Sequence, residues 1–300
     1  NFAHLLIVYG DIINNANSGN GMFFNHFPEA GYWSFVQVRF KGDSNSEWSG
    51  TGENDIGGLS VLKDEVSDTV TIKPSILYGW GSTNLDGNGF FMYDVIDHIG
   101  TLKMGGTFSM ITRFGIQSTN TAADDVRQFP MLSSLNSGNN FTLFIDNPNF
   151  GITGYSAVEC YGNLHITQGT MNVGDDMADY IEFGDGSSLN VDGGELTSTG
   201  AIAYLGTSSF SFELSAGRIR AGYYGNSNSN IVGWFDIRNN ATVNISGGEI
   251  HLVNPSFTST LDYAMYNMSA TNVTITGGKL SVGSSASPTG VNTFSIAGPT

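Results

Sequence analysis

An eleven-residue pattern is written twice near one end of the chain: VNISGGEIHLV at residues 243–253 and VTITGGKLSVG at residues 273–283. Repetition constrains a fold more tightly than composition does, because every copy must bury the same face against its neighbours. The shared form is apolar-x-apolar, a Gly-rich link, then apolar-x-apolar. It recurs as FELSAGRIRA (212–221), LNVDGGELT (189–197) and LHITQGTMNV (164–173). Weaker copies are LFIDNPNFGI (143–152), LKMGGTFSM (102–110) and VTIKPSILY (70–78). Taking the second apolar residue of each of the eight copies gives a ladder: Ile72, Met104, Ile145, Ile166, Val191, Leu214, Ile245 and Ile275. The spacings along it are 32, 41, 21, 25, 23, 31 and 30 residues.

Alternation of apolar residues is a strand with one buried face. Gly-Gly between two such strands marks a corner that needs positive φ or close backbone approach. A propeller blade or a leucine-rich repeat would keep a tighter period. Here the spacing never falls below 21 and varies only upward, as expected when coils of fixed minimum perimeter carry loops of variable length. A short third strand precedes many copies: YIEF (180–183), IAYL (202–205), WFDI (234–237), YAMY (263–266) and FSI (294–296). Three strands per coil predict an all-β, right-handed parallel β-helix (β-solenoid) of triangular section, with about eight recognisable coils and variable loops.

The copies resemble the coils of right-handed parallel β-helix proteins, the pectin-lyase-like fold. The wording apolar-x-Ile-Ser/Thr-Gly-Gly-x-Ile/Leu is similar to passenger regions of bacterial surface proteins and adhesins. The resemblance covers residues 59–300 and implies an architecture rather than an activity, since the fold hosts lyases, hydrolases, tailspikes, adhesins and filaments. Residues 1–58 are expected to form irregular first coils, a cap or a donated strand. Within them YWSFVQVRF (32–40) reads as a strand and GDSNSEWSGTGEND (42–55) as a long polar loop.

Stacking has a consequence for charge. The residue after each Gly-rich corner is Glu195, Arg218, Glu249 and Lys279. On successive coils these would lie about 4.8 Å apart, with opposite signs attracting by roughly 0.2–1 kcal/mol per pair.

Composition narrows the function classes. Eleven Lys and Arg face 27 Asp and Glu, for a net charge of −16 and a pI near 4.4. Nucleic-acid binding needs clustered cations, so no nucleic-acid partner is expected. No apolar run approaches 18 residues, so no membrane-inserted helix is expected. Long Asn/Ser/Thr/Gly stretches in place of a Lys/Glu surface point to an extracellular or cell-surface location. The single cysteine, Cys160, alternates as a buried strand residue and has no intrachain partner. VNTFSIAGPT matches the segment that precedes a new copy elsewhere, so the last coil is expected to continue into a longer parent chain or to be covered by another subunit, end to end.

Chemistry is sparsely signalled. In pectate-lyase-like and polygalacturonase-like sites, acidic residues and a basic residue act together. The weak counterparts are Asp175 and Asp176 in a Gly-Asp-Asp turn, and Arg218 in Arg-Ile-Arg. None of the five histidines (His4, His26, His98, His165, His251) lies in a Gly-His-Gly context. Oxygen ligands for calcium are offered on Gly-rich turns by Asp86, Asn88, Asp94 and Asp185, without the closing Glu of an EF-hand. No other cofactor is expected. Sequons occur at Asn140, Asn240, Asn244, Asn267 and Asn272. Asp68-Thr69-Val70 resembles a short O-glycosylation signal of bacterial secreted proteins, which implies Thr69 as an acceptor. Outward positions of the first strand read Thr71, Lys103, Phe144, His165, Asn190, Glu213, Asn244 and Thr274; those of the second include Asn172, Arg220, His251 and Ser281.

The reading is an extracellular structural protein, an adhesin stalk or filament subunit built by solenoid stacking. The alternatives are a polysaccharide lyase or hydrolase of the tailspike type, and a glycan-binding module with Phe144, Tyr223 and Tyr224 as aromatic platforms.

Overall fold

The structure, a computed structural model, describes residues 2–16, 34–56, 58–74, 76–79, 99–106, 140–154, 158–174, 179–222, 234–252, 265–282 and 293–295. These residues form strands joined by turns, with no α-helix among them. Every strand pair is parallel. Because parallel neighbours cannot be joined by a tight hairpin, the chain must travel around before each new strand is laid on the last.

A central ladder begins with β2 (Ile12–Ile13), β4 (Ser46–Ser49), β7 (Thr69–Ile72) and β9 (Gly100–Met104). It continues through the first halves of the long strands β10 (Phe141–Gly154), β12 (Asn163–Val173), β14 (Ser188–Ser198) and β16 (Phe210–Ala221). It ends in the second halves of β17 (Trp234–Ile245) and β19 (Met265–Ile275). A second ladder runs through the second halves of β10, β12, β14 and β16 into β18 (Glu249–Leu252) and β20 (Lys279–Val282). A third joins β11 (Val158–Cys160), β13 (Tyr180–Phe183), β15 (Ala201–Tyr204), the first halves of β17 and β19, and β21 (Thr293–Ser295). These ladders belong to one 16-stranded sheet. A three-stranded sheet holds β1 (Phe2–Val8), β3 (Ser34–Gly42) and β6 (Gly58–Lys63), and β5 (Glu53–Ile56) pairs with β8 (Ile76–Gly79). Long in-register stacks of parallel strands are consistent with a parallel β-solenoid.

The apolar ladder read from the sequence pairs in that order: Ile72 with Met104, then Ile145, Ile166, Val191, Leu214, Ile245 and Ile275. All but Ile275, which is 52% exposed, are buried. Burying each such side chain contributes about 1.5–3 kcal/mol, and like-on-like stacking repeats the packing at every rung. The ladder also extends below Ile72 to Trp48 and Ile12. Trp48 lies inside the stretch read as a polar loop; that stretch in fact carries β4 and β5, and Trp48 is wholly buried. Its alternation is short and its neighbours are Ser, Glu and Gly, so the strand signal is drowned by turn formers.

Between the central and second ladders lies a corner with a stacked glycine on each rung from β12 onward: Gly169, Gly194, Gly217, Gly248 and Gly278, all with φ between 61° and 94°. That region is costly for residues with a Cβ. There is no room for one either: a Cβ on Gly194 would lie 2.5 Å from the Gly169 carbonyl oxygen.

Candidate functional site

The outward side chains are the part of the molecule open to function. On the second ladder Glu195, Arg218, Glu249 and Lys279 stand on successive rungs. Arg218 Nε lies 3.1 Å from Glu249 Oε2, and Lys279 Nζ lies 3.1 Å from Glu249 Oε1. Glu195 is engaged diagonally, by Arg220 Nε at 3.1 Å. The Ser281 hydroxyl donates to Glu249 Oε1 at 2.5 Å. That hydrogen bond, helped by Lys279 and Arg218 against the opposing effect of burial, brings the Glu249 carboxyl down to about 2. The ladder therefore holds its charges against one another.

On the central ladder a second network crosses the rungs. Lys103 Nζ sits 2.6 Å from Asp146 Oδ2 and 4.7 Å from the centre of the Phe144 ring. The other side of that ring is stacked on His165, with centroids 4.3 Å apart and planes within 3°. His165 Nε2 meets Asp192 Oδ2 at 2.9 Å. Ser215 donates to Asp192 at 2.6 Å, and Thr167 and Gln168 donate to Asp146 at 2.7 and 3.0 Å. Burial pushes the Asp146 carboxyl up, but the bonds from Lys103, Thr167 and Gln168 together outweigh it and hold it low. Asp192 is also held low, first by Ser215 and then by His165. Phe144 is covered on both ring faces, so only its edge is left to meet a ligand.

Asp185 closes a turn: its Oδ1 accepts from the Tyr204 hydroxyl at 2.7 Å and from the Ser208 amide at 2.9 Å. Those bonds, the Tyr204 hydroxyl first, lower its carboxyl. Arg218 belongs to the charge ladder just described, between Glu195 and Glu249. Asp175, Asp176, Asp86, Asn88, Asp94, Tyr223 and Tyr224 lie outside the described residues. Among the described residues no three His, Cys, Asp or Glu side chains are grouped to hold a metal ion. Cys160 is buried and unpaired, and burial raises its thiol far above reactivity at neutral pH.

Of the sequons, Asn140, Asn240, Asn244 and Asn272 are exposed and Asn267 is half-buried. Asn240 donates to the Thr207 carbonyl at 2.7 Å, and Asn267 donates to Asp236 at 2.9 Å. Thr69, the implied O-linked acceptor, is half-buried, and its amide donates to Asn45.

Three features escape the sequence reading. The first is a second outward column on the central ladder: Thr69, Thr101, Thr142, Asn163, Ser188, Ser211, Thr242 and Asn272, paired in that order. Its signal is plain once the pattern is widened by one residue, because a small polar residue stands three before each ladder apolar residue. The second is Lys63, buried, whose ammonium donates to the Lys41 and Ser44 carbonyls at 3.0 and 2.7 Å and to the Ser46 hydroxyl at 2.8 Å. The third is Asp236, fully buried on an outward position of the third ladder. Nothing local marks Lys63 as buried; for Asp236 the only local signal is the pair Trp234 and Arg238, two residues to either side.

No protein-family model, no curated protein and no solved structure matches the chain.

Proposed function

We propose that this chain is a structural element: a right-handed parallel β-helix of about eight recognisable coils that serves outside the cell as an adhesin stalk or a filament subunit. One observation carries the reading. The ion pairs on the second ladder and at the Lys103–His165 stack link side chains of neighbouring rungs, so the polar surface works mainly to bind coil to coil. Such an object is stiff along the stacking direction, and its length grows by about 4.8 Å for each coil.

A polysaccharide-cleaving reading has one geometric point in its favour. Asp146 and Asp192 stand two rungs apart, roughly 9.6 Å, near the upper end of the spacing used by inverting glycosidases. Both carboxyls are held low, however, and the reaction needs one of the pair to keep its proton. The structural reading therefore comes first.

Electron microscopy of the secreted protein at native concentration tests it, together with scattering to measure the cross-section. Rods of constant width, or filaments of subunits joined end to end, are the expected result. Compact particles with no long axis would sink the structural reading. Reducing ends released from an acidic polysaccharide, and lost on replacing Asp146 or Asp192 by Asn, would install the enzymatic one.

A further inference from the structure

The outward surface of the third ladder holds an arrangement that rung-to-rung stapling does not explain. Asp236 is fully buried although its strand neighbours Phe235 and Ile237 are the ones that point inward. Four donors converge on its carboxylate. Arg238 Nε donates to Oδ1 at 2.7 Å, and Arg238 Nη2 donates to Oδ2. The indole N–H of Trp234 reaches Oδ2 at 3.2 Å, and Asn267 reaches Oδ1 at 2.9 Å. Three of the four come from Trp234 and Arg238, both on the same strand and both open to solvent: Trp234 is 39% exposed and the Arg238 side chain 40%.

The carboxylate is saturated, so it has nothing left to offer a ligand. What it does is hold an indole and a guanidinium side by side in one orientation. Rigid aromatic and Arg side chains, fixed in advance, lose little entropy on binding. On one side the neighbouring rung presents only Ala201 and Ala203 at the register positions of Trp234 and Asp236, so that flank of the pair is lined by small side chains; on the other side Met265, Asn267 and Ser269 hold the positions of Trp234, Asp236 and Arg238. The other described tryptophan, Trp48, is wholly buried; exposure is therefore not how this chain treats tryptophan in general.

Charge selects the ligand. Arg238 is already matched by Asp236 in a two-pronged pair, which leaves Nη1 as a donor on a site of no net charge. The chain as a whole carries −16 and repels polyanions. A neutral sugar fits both facts: its C–H face packs on an indole, and its hydroxyls accept from a guanidinium. We infer that Trp234 and Arg238, pinned by Asp236, form a binding site for neutral pyranose units of a glycan on the side of the solenoid. The site is independent of the structural reading, which stands or falls on particle shape.

The test is calorimetric and fluorescence titration of the full chain with four linear neutral hexasaccharides: β-1,4-glucan, β-1,4-mannan, α-1,4-glucan and β-1,4-xylan. Polygalacturonate serves as the acidic comparison. Saturable binding of at least one neutral oligosaccharide is expected, with a shift in tryptophan emission. Trp234→Ala and Arg238→Ala should each weaken it at least tenfold. Trp234→Phe, which keeps a ring and leaves three donors on Asp236, should stay within about threefold, and its unchanged circular dichroism guards against misfolding. Absence of saturable binding to all four, or binding indifferent to Trp234→Ala, overturns the site. Tighter binding of polygalacturonate overturns the assignment to neutral sugars.

Discussion

The same corner is built in two ways in this molecule. After the central ladder on the later rungs, the chain turns through glycines that stack on one another, as at Gly194 and Gly217. After β4, on an earlier rung, it turns through a lone positive-φ glycine, Gly50, and around buried side chains. Trp48 Nε1 donates to Asn54 Oδ1 at 2.9 Å, Asn14 Nδ2 reaches the same oxygen at 3.2 Å, and Asn54 Nδ2 donates to the Gly52 carbonyl at 2.9 Å. One solution needs absence of side chains and repeats from rung to rung. The other adds particular amides to its glycines in one place and occurs once among the described residues. The first is cheap to copy, which suits a repeat. The second is suited to an irregular region, where a buried polar group must be fully satisfied or it destabilises.

Several substitutions would break or sharpen that contrast. The largest effect is expected for Gly194→Val. It combines positive φ with a Cβ 2.5 Å from a carbonyl oxygen, at a cost of about 3 kcal/mol or more. Denaturant melts should show it, while Ala216→Gly, at a corner position that already accepts a methyl group, should stay near the parent. Equal effects at both positions would mean that the glycine column is not what shapes the corner.

Next comes Asn54→Leu. It leaves the Trp48 indole N–H and the Asn14 amide without this shared acceptor, for about 2–3 kcal/mol. The measurement is the same melt. A neutral result would show that the early corner is held by packing alone.

The third effect is a pH dependence. The Glu249 carboxyl titrates near 2 in the fold against an ordinary value of 4.5. Its protonation is thus harder in the folded state, so its stabilisation is complete above about 4.5 and disappears as pH falls toward 2. Asp146 and Asp192 shift in the same direction. The melting temperature should hold level from pH 7 to 5 and then drop. Glu249→Gln should lower the neutral plateau and make that drop shallower. An acid limb unchanged by the substitution would remove the rung network as its source. The smallest effect is Lys279→Ala, whose side chain is 70% exposed; a change under about 0.5 kcal/mol is expected.

Much of the architecture is legible because a stacked fold writes its contacts into its spacing. Ile166 and Val191 face one another across a rung, and so do Arg218 and Glu249, because each occupies the same place in its copy. The candidate surface is less legible. Spacing puts Phe144 next to His165, but only side-chain packing shows that Lys103 and His165 cover both faces of the ring. Glu195 likewise has Arg218 as its rung neighbour yet pairs with Arg220, since long side chains reach diagonally. Trp48 was hidden for a different reason: a four-residue strand among turn formers carries too little alternation to be seen.

By itself, then, the sequence determined the parallel stacking, the identity of the inward ladder and the glycine corner. Those depend on period and on steric exclusion, both local properties that each copy repeats. Tertiary structure decided where charge is buried. Lys63 and Asp236 look like surface residues in the sequence; Lys63 is satisfied by the Lys41 and Ser44 carbonyls and the Ser46 hydroxyl from earlier in the chain, and Asp236 by Arg238 and Trp234 of its own strand together with Asn267 of the next rung. Burial of a charge depends on partners separated by up to tens of residues, and no repeat announces them.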